Sequence, residues 1–189
     1  MIRAAPEPQR TIVGTFLILA AVVAAVAPVA VSLRSAGVVL FAYLAFAVGG
    51  MPFAYLAALV APPLGLLGGD AAWLVMLPIV LSGNLLAMLG LEFAWRWGAL
   101  VVSPALLVAP ALFVQTMSQR DLFRVDLPWD DGRGAWIGLH LLVVLVMIGG
   151  VWWTRSTAPE PAVGAIIDAV LVDFTGVTWA PQPMPEQPA

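Results

Sequence analysis

A few polar side chains interrupt the long apolar stretches of this chain, and they are the candidates for a binding or catalytic site. Ser82 and Asn84 lie in the apolar run Ala71–Leu91, and His140 lies in the run Ala135–Thr154. A polar or ionisable group at membrane depth costs free energy unless it finds a partner. Each of these residues is therefore either bonded to another helix or available for function.

Two catalytic motifs can be tested directly against these residues. Ser82 and His140 would suit a nucleophile and its base, as in intramembrane serine proteases of the rhomboid family. That family carries Gly-x-Ser-Gly and His-x-x-Gly patterns, whereas Leu81-Ser82-Gly83 lacks the first glycine and Leu-Leu-Val follows His140. Gly68-Gly69-Asp70 likewise lacks the first glycine of the Gly-x-Gly-Asp motif of intramembrane aspartyl proteases. Asp70 is interpreted as a helix cap, and we expect no catalytic residue and no enzymatic activity.

Composition removes further classes of site and partner. The chain has no cysteine and one histidine, which excludes thiolate and multi-histidine metal sites. A b-type haem held between two helices would lack its second axial ligand. His140 is therefore interpreted as a structural, hydrogen-bonded residue near Trp136. The net charge of −3 disfavours nucleic acid as a partner. We expect no metal and no cofactor.

The hydropathy of the chain indicates a bilayer. It is 62% hydrophobic and 10% charged, with a mean hydropathy of +1.00, whereas soluble domains carry roughly 25% charged residues. The segment Ser35–Gly69 contains no charged residue, although a soluble helix would need polar residues at every turn. These features predict an all-α integral membrane protein, a polytopic bundle of five or, alternatively, six transmembrane helices broken by Pro and Gly.

Polar composition divides the chain into three parts. Residues 1–10 form an N-terminal polar segment, residues 11–154 the transmembrane helical domain, and residues 155–189 a C-terminal tail. Within the tail, Ala162–Phe174 is too short to cross a bilayer and is predicted to be an interfacial helix. The Pro-rich end from Ala180 is expected to be disordered.

The predicted spans are Thr11–Leu33, Gly37–Ala61, Ala71–Leu91, Gly98–Met117 and Ala135–Thr154. In this interpretation Gly37–Ala61 is one helix, kinked at Gly49–Pro52. In the alternative, Gly37–Val48 and Pro52–Leu67 are separate elements. Five spans place five arginines on the N-terminal side and three on the other, which favours a cytoplasmic N-terminus, whereas six spans place four on each side.

The first apolar run has a competing interpretation as a cleaved signal peptide. Ala25-Val26-Ala27 resembles a small-residue cleavage site, and Arg10 precedes the run. However, Thr11–Leu33 is longer than the usual apolar core of about 7–15 residues, and Pro28 would directly follow the cut. A membrane-spanning helix is therefore favoured.

Gly49, Gly50, Ser82 and Asn84 form the predicted ligand-binding set. Broken helices in transporters expose backbone polar groups that can coordinate a solute. The break at Gly49–Pro52 is expected to face Ser82 and Asn84 across such a site. Asn84 has a second interpretation, as a residue that hydrogen-bonds a neighbouring helix.

In size and hydropathy the chain is similar to the substrate-binding S-components of energy-coupling-factor vitamin transporters, small proteins usually of six spans. The resemblance implies a transport component that binds a small-molecule ligand and works with other membrane subunits. In hydropathy the chain is also similar to the MreD-like proteins of bacterial cell-wall elongation, which implies a non-catalytic scaffold or assembly subunit of an envelope complex. Both resemblances imply a multi-pass protein of the bacterial cytoplasmic (inner) membrane.

Overall fold

The computed structural model describes residues 7–94, 96–120, 122, 127 and 132–156. These residues form α1 (Glu7–Val26), α2 (Val31–Gly49), α3 (Met51–Leu64), a 3-10 turn (Gly65–Gly68), α4 (Ala71–Phe93), α5 (Arg96–Gln119) and α6 (Arg133–Ser156), and they contain no strand. The chain divides into two compact units, Met1–Arg155 and Ser156–Ala189. The predicted interfacial helix Ala162–Phe174 and the Pro-rich end lie outside the described residues.

Five of the described helices are long and apolar enough to cross a membrane. They are Val31–Gly49, Met51–Gly68, Ala71–Phe93, Val101–Gln119 and Arg133–Gly150. The apolar part of α1, Arg10–Val26, is shorter. The predicted all-α bundle is therefore confirmed for the described residues. Five long apolar helices were predicted and five are found. The first two differ, because Val31–Gly49 and Met51–Gly68 take the place of Thr11–Leu33 and Gly37–Ala61.

The first predicted span, Thr11–Leu33, was wrong at its C-terminal end. Helix α1 ends at Val26, and Arg34 lies inside α2 rather than in a connection. Pro28 explains the difference, because it has no N–H to donate and its ring clashes with the preceding helical turn. The chain therefore bends after Val26 and begins a new helix at Val31.

The predicted single kinked helix Gly37–Ala61 was also wrong. Helices α2 and α3 are separate elements that pack against each other. The two halves of one kinked helix would not make such contacts. Gly50 alone connects them, and its φ of 87° lies in the left-handed region that favours glycine. Pro52 lies in the first turn of α3, where its missing N–H leaves no bond unmade.

Contacts at both ends of the bundle define the direction of the helices. Arg34, near the start of α2, pairs with Asp70, which precedes α4. Tyr55, near the start of α3, donates to Glu92 near the end of α4 at 2.5 Å. Thus α3 runs opposite to α2 and α4. We call the two ends of the bundle the Arg34 end and the Gly50 end.

The remaining helices continue this alternation. A Cβ on Gly83 would meet the backbone of Leu107, and one on Gly90 would meet Ser103, so α5 runs antiparallel to α4. At the Arg34 end, Trp136 of α6 donates through Nε1 to Ser35 Oγ of α2 at 3.2 Å. Helix α6 therefore starts at the same end as α2.

Candidate functional site

Gly49 and Gly50 lie where α2 ends, and the space beside Gly49 is already occupied. A Cβ on Gly49 would lie 2.6 Å from the ring of Phe53. The N–H of Gly50 donates to the carbonyl of Phe46 at 3.0 Å, and its carbonyl accepts from the N–H of Ala54 at 3.2 Å. The break therefore satisfies the polar backbone groups of Gly50 within the chain instead of offering them to a solute.

Ser82 makes its hydrogen bonds within its own helix. Its Oγ donates to the carbonyls of Pro78, at 2.6 Å, and Ile79, at 3.2 Å. This arrangement is common for serine in apolar helices because it satisfies the hydroxyl without a neighbouring element. Ser82 thus behaves as a helix residue that has found a local partner.

Asn84 is buried between α4 and α3, with 2% of its surface exposed. Its Nδ2 donates to the carbonyl oxygen of Ala58 at 3.4 Å. In an uninterrupted helix that carbonyl would accept from the N–H of residue 62, but Pro62 has no N–H. The structure therefore shows Asn84 in the interhelical role, as the donor for a carbonyl that a proline leaves free.

These four residues do not converge on one site. Ala58, the partner of Asn84, follows Gly50 by eight positions, or about 12 Å along a helix axis. Ser82 and Asn84 are two positions apart on α4, and such neighbours point to different sides of a helix. Ligand contact at any one of the four residues stays a prediction. The packing does not bring them together into a joint site at the Gly50 break.

The sequence did not reveal a buried hydrogen-bonded chain that joins α2, α5 and α4. The hydroxyl of Tyr43 bonds Ser103 Oγ, which lies 2.7 Å from the carbonyl oxygen of Ala87. Because a carbonyl only accepts, Ser103 donates to Ala87 and Tyr43 donates to Ser103. The sequence did contain an indication of this contact. Tyr43 is one of two tyrosines, and a buried tyrosine hydroxyl usually has a hydrogen-bond partner.

At the Arg34 end, one buried cation joins three helices to α2. Arg34, with 3% of its surface exposed, donates from Nη1 to Asp70 Oδ2 at 2.6 Å. Its Nε donates to the carbonyl of Ala25 at 2.7 Å, and Nη2 to that of Gly65 at 3.1 Å. Its guanidinium also lies 4.3 Å from the ring centroid of Trp73. The carbonyls at the C-terminal ends of α1 and α3 favour a cation in this position.

Asp70 has the predicted role of helix cap and a second role that was not predicted. Its Oδ1 accepts from the N–H of Ala72 at 2.9 Å, which confirms the N-cap of α4. Its other oxygen bonds Arg34, 36 positions earlier in the chain. The carboxylate therefore links the start of α4 to α2.

His140 faces the bundle interior from α6, with 1% of its surface exposed. Its Nδ1 lies 2.8 Å from the carbonyl oxygen of Trp136, and its ring stacks on the indole with centroids 4.0 Å apart. In the neutral ring Nδ1 must carry the proton, so Nε2 is an unprotonated acceptor. Among the described residues, Nε2 is the buried side-chain polar atom that lacks a hydrogen-bond partner. The predicted structural role of His140 is therefore confirmed for one ring nitrogen only.

Two further features bear on possible ligands. The described residues contain no cluster of three or more histidine, aspartate or glutamate side chains that could hold a metal ion. A groove of ≈ 230 Å³ lies along one face of α1, lined by Thr11, Ile12, Thr15, Phe16 and Leu19. This groove is apolar and separate from the polar contacts described above.

Together these features define a class: over the described residues, an all-helical bundle in which Arg34, Tyr43 and Asn84 bond between helices, with five helices suited to cross a membrane. No protein-family model, curated protein or solved structure matches the chain. The functional argument therefore depends on the chemistry of the bundle itself.

Proposed function

We propose that the chain is a multi-pass protein of a bacterial cytoplasmic membrane and acts as a small-molecule transport component. Insertion is supported by the outer surface of the bundle, where large apolar side chains are more than half exposed. These include Ile12, Phe16, Val23, Val101, Leu142 and Val146. Contiguous exposed apolar surface is unfavourable in water and favourable against lipid acyl chains.

The observation that carries transport is the unpaired acceptor of His140. An ionisable residue inside a membrane segment typically marks a ligand or ion pathway, because its burial costs free energy without an evident structural return. Buried side-chain polar atoms usually have a hydrogen-bond partner, as the hydroxyls of Tyr43 and Ser103 do, so an Nε2 without one among the described residues is unusual.

A second candidate, a non-catalytic scaffold or assembly subunit, has its own support. Gly50, Ser82 and Asn84 all direct their polar groups to partners within the chain. Residues that would line a solute site at the break instead hold the bundle together. Under this alternative the Pro and Gly interruptions only shape the helices, and the exposed faces bind other membrane subunits.

The arginine count gives no preferred side of the membrane for the N-terminus when six helices cross. If α1, whose apolar part is shorter than the other five, also crosses, then α2 and α3 as separate crossings give the six-span arrangement, in which four arginines lie on each side. The positive-inside rule then favours neither orientation. Reporter fusions on the two ends of the bundle would assign the orientation.

A thermal-shift screen distinguishes the two candidates. The purified protein in detergent is heated with each member of a panel of vitamins and small metabolites. A compound at 100 times its dissociation constant contributes about 2.7 kcal/mol to stability, which gives a clear shift. Transport predicts a stabilising compound and co-purification with an ATPase. The scaffold candidate predicts no stabilising compound and co-purification with cell-wall enzymes.

A further inference from the structure

Two independent features of α6 coincide at His140. The first is the buried Nε2 acceptor, which has no partner among the described residues. The second is the small buried share of the helix: 22% for Arg133–Gly150, against 28% for Val101–Gln119 and 56% for Val31–Gly49. Of the five described helices long enough to cross a membrane, α6 has the smallest buried share, slightly below that of α5, and therefore gives up the least packing when it moves.

The fully buried residues of α6 lie on one stripe, and partly buried Ile137, Leu141, Val143 and Met147 flank it against the core. Its buried residues Trp136, Val144 and Ile148 share the spacing of His140, each one helical turn from the next. The opposite face is open: Leu142 and Val146 are more than half exposed, and a Cβ on Gly138 would meet no atom of the described residues within 4 Å. Displacement of α6 would therefore uncover this stripe and His140 with it.

We propose that α6 is the movable wall of an occluded site, and that His140 Nε2 accepts a hydrogen bond from an N–H or O–H group of the transported molecule. The inference rests on the proposed transport function. The bond from Nδ1 to Trp136 keeps the second ring nitrogen unprotonated and holds the ring in place. A donor on the ligand would supply the partner that Nε2 lacks in the closed bundle.

The absence of cysteine from the chain allows a direct test of the movable wall. Single-cysteine variants His140→Cys and Val38→Cys are compared in membrane vesicles with the water-soluble thiol reagent 2-aminoethyl methanethiosulfonate. Val38 is the matched control because it is fully buried on the well-packed α2. We expect His140→Cys to react at least an order of magnitude faster, because local opening exposes the less stably packed helix. Equal protection of the two thiols would overturn the inference.

A second measurement leaves the native residue in place. Because the chain has one histidine, the ¹⁵N spectrum of histidine-labelled protein reports His140 alone. We expect a protonated Nδ1 and an unprotonated Nε2 without a hydrogen bond. A spectrum with the proton on Nε2 would contradict the proposal, even if the cysteine variant did not fold.

The ligand arm separates this inference from the proposed function. For a compound that stabilises the wild type in the thermal screen, His140→Phe should abolish the shift, whereas Thr116→Ala should retain it. Thr116 is a suitable control because its hydroxyl bonds Leu112 within α5. A shift retained in His140→Phe would overturn the role of Nε2 and leave transport standing. A panel that contains no stabilising compound would instead count against transport itself.

Discussion

The side-chain amide of Asn84 donates to the backbone carbonyl of Ala58, the carbonyl that Pro62 leaves without an intrahelical donor. A helix interruption on α3 is thus matched by a polar residue on α4. In lipid, where no water can satisfy a free carbonyl, such a partner makes the proline tolerable. This relationship explains why an amide lies in an otherwise apolar run.

Replacement of Asn84 by leucine should lower the melting temperature in detergent. The change removes the donor to Ala58, and interhelical hydrogen bonds contribute on the order of 0.6–2 kcal/mol. Ser82→Ala is the matched control, since its two bonds lie within α4, and we expect a much smaller change. Equal losses in the two variants would contradict the interhelical role of Asn84.

Pro62→Ala provides a more specific check through a double-mutant cycle. Alanine restores an N–H that can donate to the carbonyl of Ala58, so Asn84→Leu should destabilise the protein less in that background. The difference between the two costs measures the coupling of the residues. Identical costs in both backgrounds would show that Asn84 does not compensate for the proline.

Two substitutions at Asp70 should separate its two roles. Asparagine retains a good N-cap but removes the charge that pairs with Arg34, whereas alanine removes both. We expect both variants to unfold at lower temperature, with Asp70→Ala less stable by about 1 kcal/mol. The charge effect itself is moderated because 36% of the Asp70 side chain is exposed to solvent screening. Equal stability of the two variants would argue against the cap.

Close contact of α4 with α5 makes Gly83 sensitive to a single added carbon. A Cβ on Gly83 would lie 2.5 Å from the backbone oxygen of Leu107, so Gly83→Ala forces the helices apart, at a typical cost of about 1–3 kcal/mol. Gly138→Ala is the control, because no atom of the described residues lies within 4 Å of its Cβ position. The first variant should melt earlier and the second should not. A normal melting temperature for Gly83→Ala would mean that α4 and α5 are farther apart than described.

The separation of α2 from α3 changes the expected membrane topology. With α1 crossing as well as the five longer helices, reporters attached before Glu7 and at Ala94 should lie on the same side of the membrane, and a reporter at Gly69 should lie on the other. The earlier single-helix interpretation of Gly37–Ala61 places the first two reporters on opposite sides. Reporter activity in cells therefore decides between the arrangements and also assigns the orientation.

Local patterns in the sequence determined the class of structure and several of its details. Long charge-free runs indicated apolar helices, because a helix exposed to water must carry polar residues at each turn. Asp70 was identified as a cap from its position after Gly68 and Gly69, and the bond to Ala72 confirms it. These inferences succeed because helix formation and capping depend on residues within one or two turns.

Tertiary packing alone decided whether residues 37–61 form one helix or two. A Gly-Gly-x-Pro sequence permits either a kink or a reversal, and the choice depends on the surface that α2 and α3 bury against each other. The same holds for the partners of the polar residues. Arg34 and Asp70 are 36 positions apart, and Tyr43 and Ser103 are 60 apart. Helix direction and register set such pairings, and no local pattern contains them. The same packing buries His140 Nε2 where no donor of the described residues reaches it.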